Sequence, residues 1–282
     1  MYIRHHRSDD LYPMAIIMAA CDLRDPLAMI YRRSSLNNTN NTNTSTNNTN
    51  VYDPKRAARI WTDHVKSTKR SIELKVLQPG CICQVIVLDP EDHDTATLQD
   101  GVTDPRTTNP KITDPRVINT RDVVGFAIFK RCGVSSRALG WQAEGRRLPT
   151  RVRSFVVHSS LEVSRSWDSS ISISRLAQYI QRLYTAPPRA ALGIPDERWD
   201  IEAIYVLPHH QRRGFGTTLL RWVIDRAVEE GVQMCVWSTE AGRALYLNAG
   251  FTEVGTIDFT DMREGNDGGQ GMVRIMTWRL PN

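Results

Sequence analysis

Between Asp200 and Gly231 the chain writes an apolar run, a proline, a basic stretch, two glycines and then a long amphipathic segment: DIEAIYVLP, HHQRRGFG, TTLLRWVIDRAVEEG. Few architectures accept that order. The apolar run is strand material. Leu219, Leu220, Val223 and Ala227 recur at helical spacing, and Gly231 stops the helix. Gly214 and Gly216 fall where the strand must give way to the helix. Glycine lets backbone come close to a ligand, and a helix N-terminus offers unpaired N–H groups at the positive end of its dipole. Strand, glycine turn, helix is therefore a pattern that can hold a pyrophosphate. Two common loops of this kind are excluded. No G-x-x-x-x-G-K-[ST] run is present, and Gly214-Phe215-Gly216 is followed by Thr217, Thr218 and Leu219 where a dinucleotide fingerprint needs a third glycine. What remains is Q-x-x-G-x-G, from Gln211 through Arg212, Arg213, Gly214 and Phe215 to Gly216.

The flanking segments extend this alternation. VQMCVW reads as a buried strand, AGRALYLNAGF as a short helix ended by Gly250, and TEVGTIDF and MVRIMTWRL as two last strands. Upstream, residues 8–21 and 54–77 read as helices, with Pro13 limiting the start of the first. CICQVIVLDP and DVVGFAIFKR read as strands that pair as a hairpin. The sum is a mixed sheet with helices on its faces.

Three segments read as insertions into one domain spanning residues 1–282. Residues 36–50 hold the low-complexity run NNTNNTNTSTNNTN, which has nothing to contribute to a core. Residues 90–121 repeat TDPR, a turn-rich composition. Residues 134–198 hold one or two helices, with Leu176, Tyr179, Ile180 and Leu183 at helical spacing before Pro187-Pro188.

Charge and cysteines narrow the setting. The net charge of +5 and pI near 9.0 suit an anionic ligand, but Lys and Arg are spread along the chain, which argues against a nucleic-acid module. No apolar run approaches the ~20 residues of a membrane span. The charged start MYIRHHRSDD reads as no signal peptide, and the five scattered cysteines as reduced thiols, so a cytoplasmic location is expected, with the nucleus as second choice. The pairs His5-His6 and His209-His210 and the lone Cys81-x-Cys83 lack metal-binding spacing, so no metal is expected. Trp141, Trp167 and Trp199 read as cavity lining or as core.

The run IEAIYVLPHHQRRGFGTTLLRWVIDRA resembles the acyl-CoA-binding motif of the GNAT superfamily of N-acetyltransferases, [QR]-x-x-G-x-[GA] after a strand ending V-x-P. ALYLNAGF is similar to the family's second motif, a tyrosine five residues before the Phe of a Gly-Phe pair. The close resemblance covers about residues 200–255, and the polar insertions are those of uncharacterised fungal members. It implies a GNAT-type α/β fold: a mixed, mostly antiparallel twisted sheet flanked by helices on both faces. It also implies acetyl-CoA as acyl donor and direct transfer to a primary amine of a small molecule or a protein. Backbone N–H groups from Gln211 to Thr217 would hold the pyrophosphate, with Arg212 and Arg213 adding charge. A bulge would free the N–H groups of Tyr205 and Val206 to polarise the thioester carbonyl. Tyr246 matches the family's general acid. Asp200 and Glu202 are candidate bases, Glu202 favoured. By strand alternation they would share a face with Ile204 and Val206. The 134–198 insertion would build much of the acceptor site. The rival readings are an acyl-CoA-binding protein without activity and transfer of a longer acyl group.

Overall fold

A computed structural model describes residues 1–25, 27–30, 54–89, 122–165, 168, 171–262 and 271–280. The expected insertions at 36–50 and 90–121, and Trp167, lie outside the described residues.

The frame is a seven-stranded sheet in the order β1-β2-β3-β4-β5-β7-β6. Its strands are β1 (Tyr2–His5), β2 (Cys81–Val87), β3 (Val123–Cys132), β4 (Arg198–Val206), β5 (Gln233–Ser238), β6 (Thr252–Asp258) and β7 (Met272–Trp278). Only β4 and β5 are parallel; all other neighbours are antiparallel. The expected hairpin forms as β2 with β3, Cys81 opposite Lys130. The edge strand β1 has no counterpart in the sequence reading, because its short run YIRH carries two basic residues among its four. Pairing with the apolar β2 places it, Tyr2 opposite Val87.

Seven helices cover the sheet among the described residues: α1 (Leu11–Asp22), α2 (Pro54–Val76), α3 (Ser136–Arg146), α4 (Leu148–Arg165), α5 (Ile173–Tyr184), α6 (Phe215–Glu230) and α7 (Glu240–Asn248). Pro13 stands in the first turn of α1, where its missing N–H costs nothing. On one face Leu219, Leu220 and Val223 of α6 and Tyr246 of α7 pack against Phe129, Trp199 and Val236. On the other, Met14 and Ile17 of α1 and Val65 and Ile72 of α2 pack against Val85, Phe126 and Ile128. The β5-β7-β6 half of that second face is covered by Leu27, Ile30 and, from α5, Tyr179 and Leu183.

The 134–198 segment holds three helices, not one or two. Arg147, which is extended at ψ 142°, and Pro149 just after it separate α3 from α4. Both ends of this excursion are pinned by one carboxylate. Glu197 accepts from the backbone N–H groups of Val134 (2.6 Å) and Ser135 (2.7 Å) and from the Ser135 hydroxyl (2.8 Å). The buried Arg131 donates to Glu197 (2.9 Å) and to Glu230 on α6 (2.7 Å). The bonds from Ser135 and Arg131 hold the Glu197 carboxyl far below the usual range, at about 2.

Candidate active site

The site begins with a failure of pairing. β4 pairs with β5 only from Arg198 to Ile201, opposite Gln233 to Val236. Beyond Ile201, β4 continues to Val206 on the β3 side alone. The pairing of the two parallel strands ends there, and the space between the second half of β4 and the end of β5 is the candidate cleft.

A bulge lies at the same place. Ile201 faces Phe129 and Ala203 faces Ile128, so Glu202 is the extra residue. It corrects two sequence expectations. The bulge stands at Glu202, not at Tyr205–Val206. It also reverses the alternation beyond it: Ile204 packs in the α6 core with Trp199 and Ile201, while Ala203 and Tyr205 face the α1–α2 side. Ile204 and Val206 thus leave the face of Asp200 and Glu202. The backbone follows. The Leu207 N–H donates to the Val124 carbonyl (2.8 Å), so by antiparallel alternation Tyr205 also points its N–H at β3. Ile204 and Val206 point theirs into the cleft.

The loop at the cleft mouth is tied to the strand end. The Val206 carbonyl accepts from the Gln211 side chain (3.0 Å) and from the Cys21 thiol at the end of α1 (3.2 Å). Gln211 therefore braces the loop through its side chain. Two residues then take left-handed backbone, Arg212 (φ 64°) and Gly214 (φ 84°). Gly214 caps α6, and the Thr218 N–H makes the first bond back to its carbonyl (2.9 Å). The N–H groups of Gly214, Phe215, Gly216 and Thr217 thus precede the intrahelical ladder. A Cβ built on Gly214 would meet no atom within 4 Å, so there is open space beside the turn at that residue. On Gly216 a Cβ would touch Leu245 at 3.5 Å, an ordinary contact that alanine satisfies. Arg212 and Arg213 are exposed at the turn.

Tyr246 stands on the β5 wall. Its ring is buried, meets Phe251 edge to face at 5.4 Å, and packs with the α6 core. Burial raises its phenol well above the ordinary range, so it keeps its proton at neutral pH. Gly242 explains its placement. A Cβ there would lie 3.0 Å from the Ser238 hydroxyl and 3.3 Å from the Tyr246 ring. The missing side chain lets Tyr246 close on the end of β5.

The two candidate bases have different surroundings. Glu202 is part-exposed on the α2 side, and its carboxylate accepts from Lys75 at 2.6 Å. Lys75 is 127 residues away in sequence, and no local spacing could have shown it. Asp200 stands in the paired half of β4. It is buried, gripped by both arms of Arg198 (2.7 and 2.9 Å), and accepts from the Cys132 thiol (3.3 Å). Fixed donors hold both its oxygens, and it is not brought to the cleft.

The remaining tryptophans fall elsewhere. Trp199 is fully buried core. Trp141 lines a cavity of about 560 Å³ with His5, Trp222 and Arg226, at the far end of α6 from Gly214. Burial pushes the thiols of Cys21, Cys81 and Cys235 up to about 12 and that of Cys132 up to about 11, so none is a thiolate at neutral pH. No helix among the described residues is long and apolar enough to cross a membrane.

Comparison with known proteins bears on this region. Residues 181–251 match the family model described as Acetyltransferase (GNAT) family. A curated protein named Acetyltransferase, from Stachybotrys chartarum, is 36% identical over 56 residues, 20% of this chain and 24% of its own length. The chain thus matches about a quarter of that relative. Among solved structures, one titled as histone acetyltransferase HPA2 and related acetyltransferase, from Corynebacterium glutamicum, aligns with a TM-score of 0.47 at 13% identity, over 99% of this chain and 96% of its own. A GCN5-related N-acetyltransferase from Kribbella flavida aligns at 0.42 and 12% identity, over 99% and 97%.

Proposed function

We propose that the chain is an acetyltransferase of the GNAT superfamily, whose family model residues 181–251 match, and that it transfers an acetyl group from acetyl-CoA to a primary amine. The observation that carries this reading is the cleft between β4 and β5, with the Gln211–Thr217 turn at its mouth. This reading seats a pyrophosphate at that turn, where the N–H groups of Gly214 to Thr217 precede the intrahelical ladder and Arg212 and Arg213 add positive charge.

Acetyl-CoA supplies the activated acyl group; the chain's residues supply the rest. Val206, with Ile204 behind it, aims backbone N–H groups into the cleft, where a thioester carbonyl gains negative charge on attack. Tyr246, protonated at neutral pH, is placed to donate to the departing thiolate. Glu202 takes the amine's proton, directly or through water. To do so it must exchange its contact with Lys75 for the incoming amine or water. Asp200 acts as a structural carboxylate beneath β4. The reading takes transfer to be direct, and burial that keeps the thiols of Cys21, Cys81, Cys132 and Cys235 protonated is in keeping with it.

The same reading takes the chain as one domain with insertions at 36–50, 90–121 and 134–198, the last shaping the acceptor side. It takes the acceptor to be a small amine, a protein lysine or a protein N-terminus. Five free thiols fit a reducing compartment, the cytoplasm or the nucleus.

Calorimetric titration of acetyl-CoA and desulfo-CoA into wild type and Gly214→Trp tests the donor site. Micromolar binding to wild type that the variant loses, with its fold intact by circular dichroism, supports it. Wild type that binds neither compound overturns the proposal. Binding with no turnover on a panel of amines and peptides would leave the acyl-CoA-binding protein as the better reading.

A further inference from the structure

The proposed base already holds an amine. Any acceptor that Glu202 deprotonates must bring its nitrogen within about 2.6–3.2 Å of the carboxylate, or within one water of it. Lys75 Nζ stands 2.6 Å from Glu202 Oε2. Lys75 lies in the last turn of α2, and Glu202 is the bulged residue of β4 beside the candidate cleft. Two residues earlier on α2, Glu73 accepts from Arg153 of α4 at 2.6 Å. The end of α2 that carries Lys75 is thus docked against the excursion proposed to shape the acceptor side.

Charge pairing alone does not account for a lysine at this place. Lys55, Lys66, Lys69, Lys75, Lys111 and Lys130 are the chain's only lysines among its 36 Lys and Arg residues. Among the described residues, the side-chain ion pairs to the other carboxylates are made by arginines, with His64 beside Asp22. Arginine is the better ion-pair residue, with a planar fork that matches a carboxylate and a charge it does not give up. Lysine brings a single nitrogen on a flexible stem, which becomes a nucleophile once it loses a proton. The Lys75 and Glu202 side chains are 39% and 28% exposed, and pairs so open to water contribute little to stability.

We propose, resting on the acetyltransferase reading, that Lys75 is itself an acceptor and that the chain acetylates it in an intramolecular step. Glu202 takes one proton from the Lys75 ammonium. The lone pair freed on Nζ attacks the thioester carbonyl carbon of acetyl-CoA. The C–S bond breaks as Tyr246 gives its proton to the departing sulfur, and the second proton lost from the nitrogen restores the tyrosine. The products are Nε-acetyl-lysine, free CoA and one proton released to solvent. The new amide is neutral, so the ion pair to Glu202 is lost and the carboxylate is left to incoming amines.

Incubation of the full chain with acetyl-CoA, followed by intact-mass and peptide mass spectrometry, tests this. Wild type should gain one acetyl group, on Lys75, with a rate constant that does not change when the protein is diluted. Lys66 on the same helix is exposed where Lys75 is half-buried, so uncatalysed acetylation from bulk solution would favour Lys66. Lys75→Arg keeps the charge and should gain no acetyl group. Glu202→Gln should slow the modification about 100-fold, and Gly214→Trp should abolish it. Acetylation that favours Lys66, or that reaches Lys75 equally fast in Gly214→Trp, overturns the proposal. A wild type that binds acetyl-CoA and acetylates added amines but leaves Lys75 unmodified overturns it while the acetyltransferase reading stands. A wild type that binds no acetyl-CoA overturns both.

Discussion

Two side chains carry the proposed proton transfers, and they are held in opposite ways. Tyr246 is fixed by packing, in space that Gly242 leaves open. Glu202 is fixed by a single part-exposed ion pair with Lys75. Tyr246→Phe keeps the ring and should leave stability and acetyl-CoA affinity near wild type while lowering kcat about 100-fold. If Tyr246 is only a core aromatic, kcat will not move. Glu202→Gln should also lower kcat, with acetyl-CoA affinity left near wild type. Lys75→Ala frees the carboxylate and should cost far less than either. Of these two residues the sequence showed Tyr246 through its motif. It ranked Glu202 above Asp200 only by preference, because their partners, Arg198 on Asp200 and Lys75 on Glu202, are set by the fold and not by local spacing.

Where elements meet, backbone geometry decides. Gly214 takes φ 84° with open space around it, so a substitution there meets strain but no clash. Gly214→Ala should cost about 1–2 kcal/mol in denaturant melts, the cost of left-handed backbone. Gly214→Asn should cost less, because asparagine tolerates that region. Equal loss in both would point to a steric cause. The strand–turn–helix order, both late strands and the β2–β3 hairpin were legible in the sequence because periodicity and glycine placement are local signals. The bulge at Glu202 was not. One extra residue in β4 leaves its composition unchanged, yet turns every later side chain to the other face. The third helix of 134–198 went uncounted as well, because only one extended residue, Arg147, separates α3 from α4.

Across the whole molecule, the 134–198 excursion leaves β3 and returns to β4 at a single knot, Glu197 against Val134, Ser135 and Arg131. A depressed carboxyl contributes stability that is complete above its unfolded pKa and lost as pH falls through its folded one. For Glu197 that window runs from the ordinary 4.5 down to about 2. Glu197→Gln should melt about 2 °C lower than wild type at pH 7, a modest figure because the side chain is 36% exposed. The gap should close as pH falls from 4.5 toward 2. A gap independent of pH would mean that the carboxylate's charge is not what holds the knot. How the excursion would meet a substrate was not legible, because α5 is placed by distant partners such as Phe259 and Leu27.

The same knot has a mechanical meaning. Arg131 is a residue of β3, opposite Trp199 of β4, so the root of the excursion is built into the sheet itself and braced to α6 through Glu230. α4 is held a second time, by Arg153 on Glu73 of α2. A load on the excursion is therefore shared between the sheet and two helices.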